Sequence, residues 1–97
     1  DILTPDSGSI EIIEGIIRDT IAGVSSDKLA PTLENEIKKL RDCGAEIVVL
    51  GCTELSVVGS HLDLDYTLDP IELVVNAIVD EEYRLNQPKE ILFKFKI

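Results

Sequence analysis

The chain has no methionine, no tryptophan, one histidine and only two cysteines in 97 residues. Each scarcity excludes something. Without methionine there is no initiator, and a start at Asp1-Ile2-Leu3 reads as a piece trimmed from a longer protein. A single histidine, with no Cys-x-x-Cys or His-x-x-x-His spacing, speaks against a zinc site. Cys43 and Cys52 are too few for a disulfide scaffold, so both are expected as free thiols in a reducing cytoplasm. Basic residues are scarce too, nine against nineteen acidic, for a formal charge of −10. That balance disfavours nucleic acid, whose phosphates need a basic surface, and it offers no polybasic patch to an anionic membrane. No apolar run approaches a membrane span, and no signal peptide opens the sequence.

What remains is a chain that can fold. Hydrophobic residues make up 44%, and a mean hydropathy of +0.16 places it among globular rather than disordered sequences. Ile2 to Thr4, stopped by Pro5, is consistent with the end of a strand. Asp6, Ser7 and Ser9 are candidate N-caps for a helix carrying Ile10, Ile13, Ile16, Ile17 and Ile21, which Gly23 ends. Ser26 or Asp27 can cap a second helix through Leu29, Leu33, Ile37 and Leu40, with Pro31 in its first turn and Gly44 closing it. Glu46 to Leu50 is then a continuous apolar run without alternation, as expected of a parallel strand buried on both faces.

A short helix is expected from Leu55 to Val58, a polar loop from Gly59 to Asp65, and a second short strand from Tyr66 to Leu68. Asp69-Pro70 opens a third long helix with Ile71, Val74, Val75, Ile78 and Val79 on one face. The acidic run Asp80-Glu81-Glu82 reads as solvated surface. Beyond Asn86 the tail alternates Ile91, Phe93, Phe95 and Ile97 with Leu92, Lys94 and Lys96, the pattern of an edge strand guarded by lysines. The order of elements predicts an α/β fold: three layers, with a mostly parallel sheet flanked by helices. The division expected is one domain over residues 1–86 and a tail over 87–97.

Chemistry concentrates where the strongest strand ends. In open α/β sheets ligands bind at the carboxyl ends of strands, and Gly51-Cys52-Thr53-Glu54 stands at such an end. Gly51 lets the backbone turn and approach a ligand. Cys52 projects into the crevice, Thr53 offers a hydroxyl, and amide groups opening a helix there can hold a carboxylate. A thiolate so placed suits removal of the proton from the α-carbon of an amino acid. Donors to the substrate carboxylate would stabilise the charge that develops. Against this stand plainer roles: free cysteine is a common core residue, Thr53 a turn residue, and Glu54 a residue favoured at helix N-termini. Cys43, at a helix end, is read as structural, His61 as solvated, and Asp69 as a helix cap.

The stretch from Gly44 to Val58, centred on Leu50-Gly51-Cys52-Thr53-Glu54, resembles the second cysteine motif of the aspartate/glutamate racemase family. The likeness extends to Leu3-Thr4-Pro5-Asp6, to Ile16 through Gly23, and to Leu68-Asp69-Pro70. It implies one half of a pseudo-symmetric two-domain racemase that needs neither pyridoxal phosphate nor metal. Two cysteines on opposite faces of the substrate exchange the α-proton, and each half contributes one. Cys52 would be this half's acid/base, with Gly51, Thr53 and Glu54 around the substrate; glutamate at position 54 is similar to aspartate-type members. The implied partners are an amino-acid substrate and a missing N-terminal half, with a homodimer as a further arrangement.

Two departures from the family pattern stand out. The first cysteine motif is absent. Ile21, before Ala22-Gly23, stands where aspartate racemases carry a lysine, and an apolar side chain binds no distal carboxylate. Hydantoin racemase, maleate isomerase and arylmalonate decarboxylase use cysteines on a similar frame and are the related alternatives. A non-catalytic remnant that keeps the pocket is the other.

Overall fold

Asp6 starts the first helix by folding its carboxylate back onto the backbone: Oδ1 accepts from the Ser9 amide at 2.8 Å. In the computed structural model, which describes residues 2–85, this helix, α1, runs Ser7–Ile21. Asp6 is therefore the cap among the three candidates. Its C-terminus closes as the glycine predicts. Gly23 takes φ 92, its amide bonds Thr20 O at 3.1 Å, and the Val24 amide reaches back to Asp19 O at 2.9 Å. Those two bonds satisfy carbonyls that the last turn would leave open.

The Asp6 cap carries a pH signature. Its carboxyl sits below the ordinary value of 3.8, chiefly because the Ser9 amide donates to it. The capping contribution is therefore fully present above the unfolded carboxyl's value and is lost as pH falls through the lower folded value. Asp6→Asn keeps an acceptor at the cap without the charge. Its α1 helicity, followed by circular dichroism in acid, is expected to titrate less than that of the parent; identical acid profiles would remove the cap from the account.

Helix α2, Ser26–Asp42, starts earlier than expected. Ser25 is the N-cap, although its hydroxyl makes no capping bond and turns to the Asp27 carboxylate instead. Pro31 consequently lies inside the helix and not in its first turn. Leu29, Ala30, Leu33 and Ile37 are buried along one side, and their burial holds the helix together across the missing amide bond. The far end repeats the glycine closure: Gly44 has φ 108, and the Ala45 amide bonds Leu40 O at 3.0 Å.

Strand β1, Val48–Val49, pairs in parallel with β2, Thr67–Leu68, in the register Val48 to Thr67 and Val49 to Leu68. Between them lies α3, Thr53–Gly59, and after β2 comes α4, Pro70–Leu85. Arg41 anchors the approach to both strands. Its guanidinium donates to Ala45 O at 3.2 Å and Glu46 O at 2.7 Å, and lies over the Tyr66 ring at 4.9 Å. One core joins Ile16 of α1, the buried face of α2, Val48 and Leu50, and Val58 of α3.

The expected three-layer, mostly parallel sheet is not what forms. The described residues are predominantly helical, around a single sheet of two two-residue strands. Ile2 to Thr4 is irregular and Ile2 is 93% exposed, so the anticipated first strand is absent. The apolar run is covered on one face only: Val48 and Leu50 are buried, whereas Ile47 is 62% and Val49 55% exposed. With helices on one side and a short partner on one edge, the ladder has nothing further to extend along. Other faces stay open as well. Of the α1 isoleucines only Ile16 is buried, and Val74, Val75, Ile78 and Val79 of α4 are all exposed. No helix among the described residues is long and apolar enough to cross a membrane. The alternating segment Ile91–Ile97, and with it the proposed tail 87–97, lies outside the described residues.

Candidate functional site

Parallel pairing brings the ends of β1 and β2 side by side. The last bond of the pair, Leu50 N to Leu68 O at 2.9 Å, sets Gly51-Cys52 next to Asp69. Cys52 is extended, φ −146 and ψ 166, and is the N-cap of α3. Its carbonyl accepts the Ser56 amide at 3.1 Å. Its thiol is free and half-buried, neither sealed in the core nor fully in solvent.

Thr53 and Glu54 follow in the first turn. The Thr53 hydroxyl donates to Glu54 Oε2 at 2.9 Å. The Glu54 carboxyl is held below the ordinary carboxylate value, first by its own backbone N–H, then by the Thr53 hydroxyl and, more weakly, by the Cys52 thiol, against some desolvation. A carboxylate thus stands beside the sulfur. Gly51 is exposed, its φ is not in the left-handed region, and an added Cβ would meet nothing within 4 Å. No left-handed backbone angle demands glycine there; what glycine leaves is open backbone at the strand tip.

Ser56 and Asp69 belong to the same corner. Ser56 Oγ donates to Asp69 Oδ2 at 2.5 Å, while Asp69 Oδ1 accepts the Ile71 amide at 3.0 Å and the Glu72 amide at 3.3 Å. Asp69 is therefore the cap of α4 that the Asp-Pro pair implied, and also the tie between α3 and α4. The Ser56 contact was not anticipated. Its signal lay in the topology, since two adjacent parallel strands must deliver the residues after them to one place. Asp69→Ala removes both contacts and is expected to lower stability by about 1 kcal/mol, read from urea midpoints. No change in midpoint would make the tie ornamental.

Two other sites sort differently. Cys43, read as structural, is exposed at the C-cap of α2 and is no part of the core. His61 is exposed, as expected, but its Nε2 lies 2.8 Å from Ser26 Oγ, linking the loop after α3 to the start of α2. Among the described residues no group of three histidine, cysteine or acidic side chains is arranged to hold a metal. A groove of about 940 Å³ lies elsewhere, between α2, β1 and the segment before α1, and neither Cys52, Thr53 nor Glu54 lines it. No protein-family model, no curated protein and no solved structure matches the chain.

Proposed function

We propose that the chain is one half of a cofactor-independent amino-acid racemase in which Cys52 exchanges the substrate's α-proton. The observation that carries this is the placement of a half-buried free thiol immediately beyond the carboxyl end of β1, flanked by Thr53 and Glu54. The likeness of Gly44 to Val58 to the racemase cysteine motif supports it from the sequence side.

In this proposal the Cys52 thiolate takes the proton from the α-carbon. The C–H bond breaks, an S–H bond forms, and the electron pair delocalises into the substrate carboxylate. The Thr53 hydroxyl, turning from Glu54 Oε2 to the substrate carboxylate, and the amides opening α3 stabilise the charge arriving on it. A second thiol, from the other half, returns a proton on the opposite face. Glu54, ionised at neutral pH, accepts hydrogen bonds from the substrate ammonium group. The test is loss of the α-proton signal of single amino-acid enantiomers in deuterated water, with the full-length protein. Absence of exchange with every amino acid, while Cys52 remains titratable by a thiol reagent, would count decisively against the proposal.

A second reading, a ligand-binding protein without turnover, is favoured by one specific observation: the large groove is not lined by Cys52. Amino-acid binding without α-proton exchange would select it.

A further inference from the structure

α3 packs on α2 through Val58, which is wholly buried in the core they share. Gly59 follows with no room for a side chain against Leu50. The turn beyond is fastened by His61 N to Val58 O at 3.2 Å and Leu62 N to Gly59 O at 2.9 Å. So mounted, His61 reaches back thirty-five positions and sets its Nε2 2.8 Å from Ser26 Oγ. An imidazole with its proton on Nδ1 accepts there from the hydroxyl. That is the contact between a base and the nucleophile it activates. Ser26 is half-buried and His61 exposed, so the pair is held in place yet open to a reactant.

Charge favours the same transfer. The Asp27 carboxyl lies below its ordinary value, first because the Ser25 hydroxyl donates to it and, least among the causes, because of the charge on His61. A carboxylate near enough to feel that charge favours the imidazolium that forms when His61 takes a proton. Ser26 is also the first residue of the seventeen in α2, so an oxyanion forming beside its Oγ lies near the positive end of the helix dipole.

We propose that Ser26 and His61 are a nucleophile–base pair that takes acyl groups from small activated esters, independently of Cys52. Ser26 Oγ bonds to the acyl carbon as its proton moves to His61 Nε2. The bond from that carbon to the leaving oxygen then breaks, and the departing alcohol carries off the proton from His61. Water attacks the acyl-serine in turn, giving its proton to His61, and the carboxylic acid leaves as Ser26 is restored.

The test exposes the full chain to diisopropyl fluorophosphate and follows each serine by peptide mass spectrometry. Attack by Oγ forms an O–P bond, expels fluoride and passes the proton to His61. The adduct is expected on Ser26 and to form about 100-fold or more faster than on the neighbouring, exposed Ser25, the contribution of a positioned base. His61→Gln should reduce the Ser26 rate to that of Ser25. With p-nitrophenyl acetate, the parent should acquire an acetyl group on Ser26 that is lost again in water. Equal labelling of Ser25 and Ser26, no labelling of either, or an undiminished Ser26 rate in His61→Gln overturns the proposal. Acetyl groups confined to cysteine and lysine overturn it equally. The ratio of Ser26 to Ser25 is read in the unaltered protein, so it decides the matter even if the His61 variant folds poorly.

Discussion

Ile37→Ala is expected to lower the stability of the chain by about 2–5 kcal/mol, the range for truncating a buried isoleucine. Ile37 is 2% exposed in the middle of α2 and belongs to the core that joins α1, α2, β1 and α3. Truncation removes apolar contact from a site whose neighbours come from separate elements, so the gap closes only in part. Against a total stability of about 5–15 kcal/mol for a domain of this size, such a loss removes a large part of the margin at the lower end of that range. The matched control is Ile47→Ala. Ile47 has the same side chain but is 62% exposed, and its truncation should change stability by no more than about 0.5 kcal/mol. Urea denaturation of the two variants separates the cases. Equal midpoints would mean that the core does not lie on the buried side of β1.

The second large effect is chemical. Under the proposed racemase reading, Cys52→Ser slows α-proton exchange by about 10²–10⁴-fold, the usual contribution of a positioned acid/base. Serine keeps the size of the side chain and its place at the cap of α3, so folding is expected to survive while the base is lost. The loss should fall most heavily on the enantiomer whose α-proton faces Cys52, because a second thiol serves the other face. Proton-exchange rates measured separately for each enantiomer give the readout. Unchanged rates for both would remove Cys52 from the chemistry.

Much of the local structure was legible in the residues, because local chemistry decides it. Asp6 and Asp69 are short acceptors placed before helical patterns, and both cap. Gly23 and Gly44 close helices because each adopts a backbone angle that other residues resist. The strands at 46–50 and 66–68 were legible as short apolar stretches, and the structure pairs them in parallel across the helix between them. The extent of the sheet was not legible. A run such as Glu46 to Leu50 shows that a strand can be buried twice over, but not whether a second layer is present to bury it. Here Ile47 and Val49 remain in the open. Pro31 misled for a similar reason: propensity places proline in a first turn, yet packing of Leu29, Ala30 and Leu33 begins the helix earlier. At the candidate site, the sequence pointed to Cys52, Thr53 and Glu54 as neighbours in the chain. The Ser56–Asp69 contact spans thirteen positions and became visible only once the two strand ends stood together.

The position of Cys43 has a practical consequence. Its sulfur, at the exposed end of α2, meets solvent more freely than that of Cys52. Alkylating agents therefore have freer access to it than to the half-shielded thiol, and its modification accompanies any labelling of Cys52. Any stoichiometry attributed to the candidate centre must be measured in a Cys43→Ser background, or it will count the wrong atom.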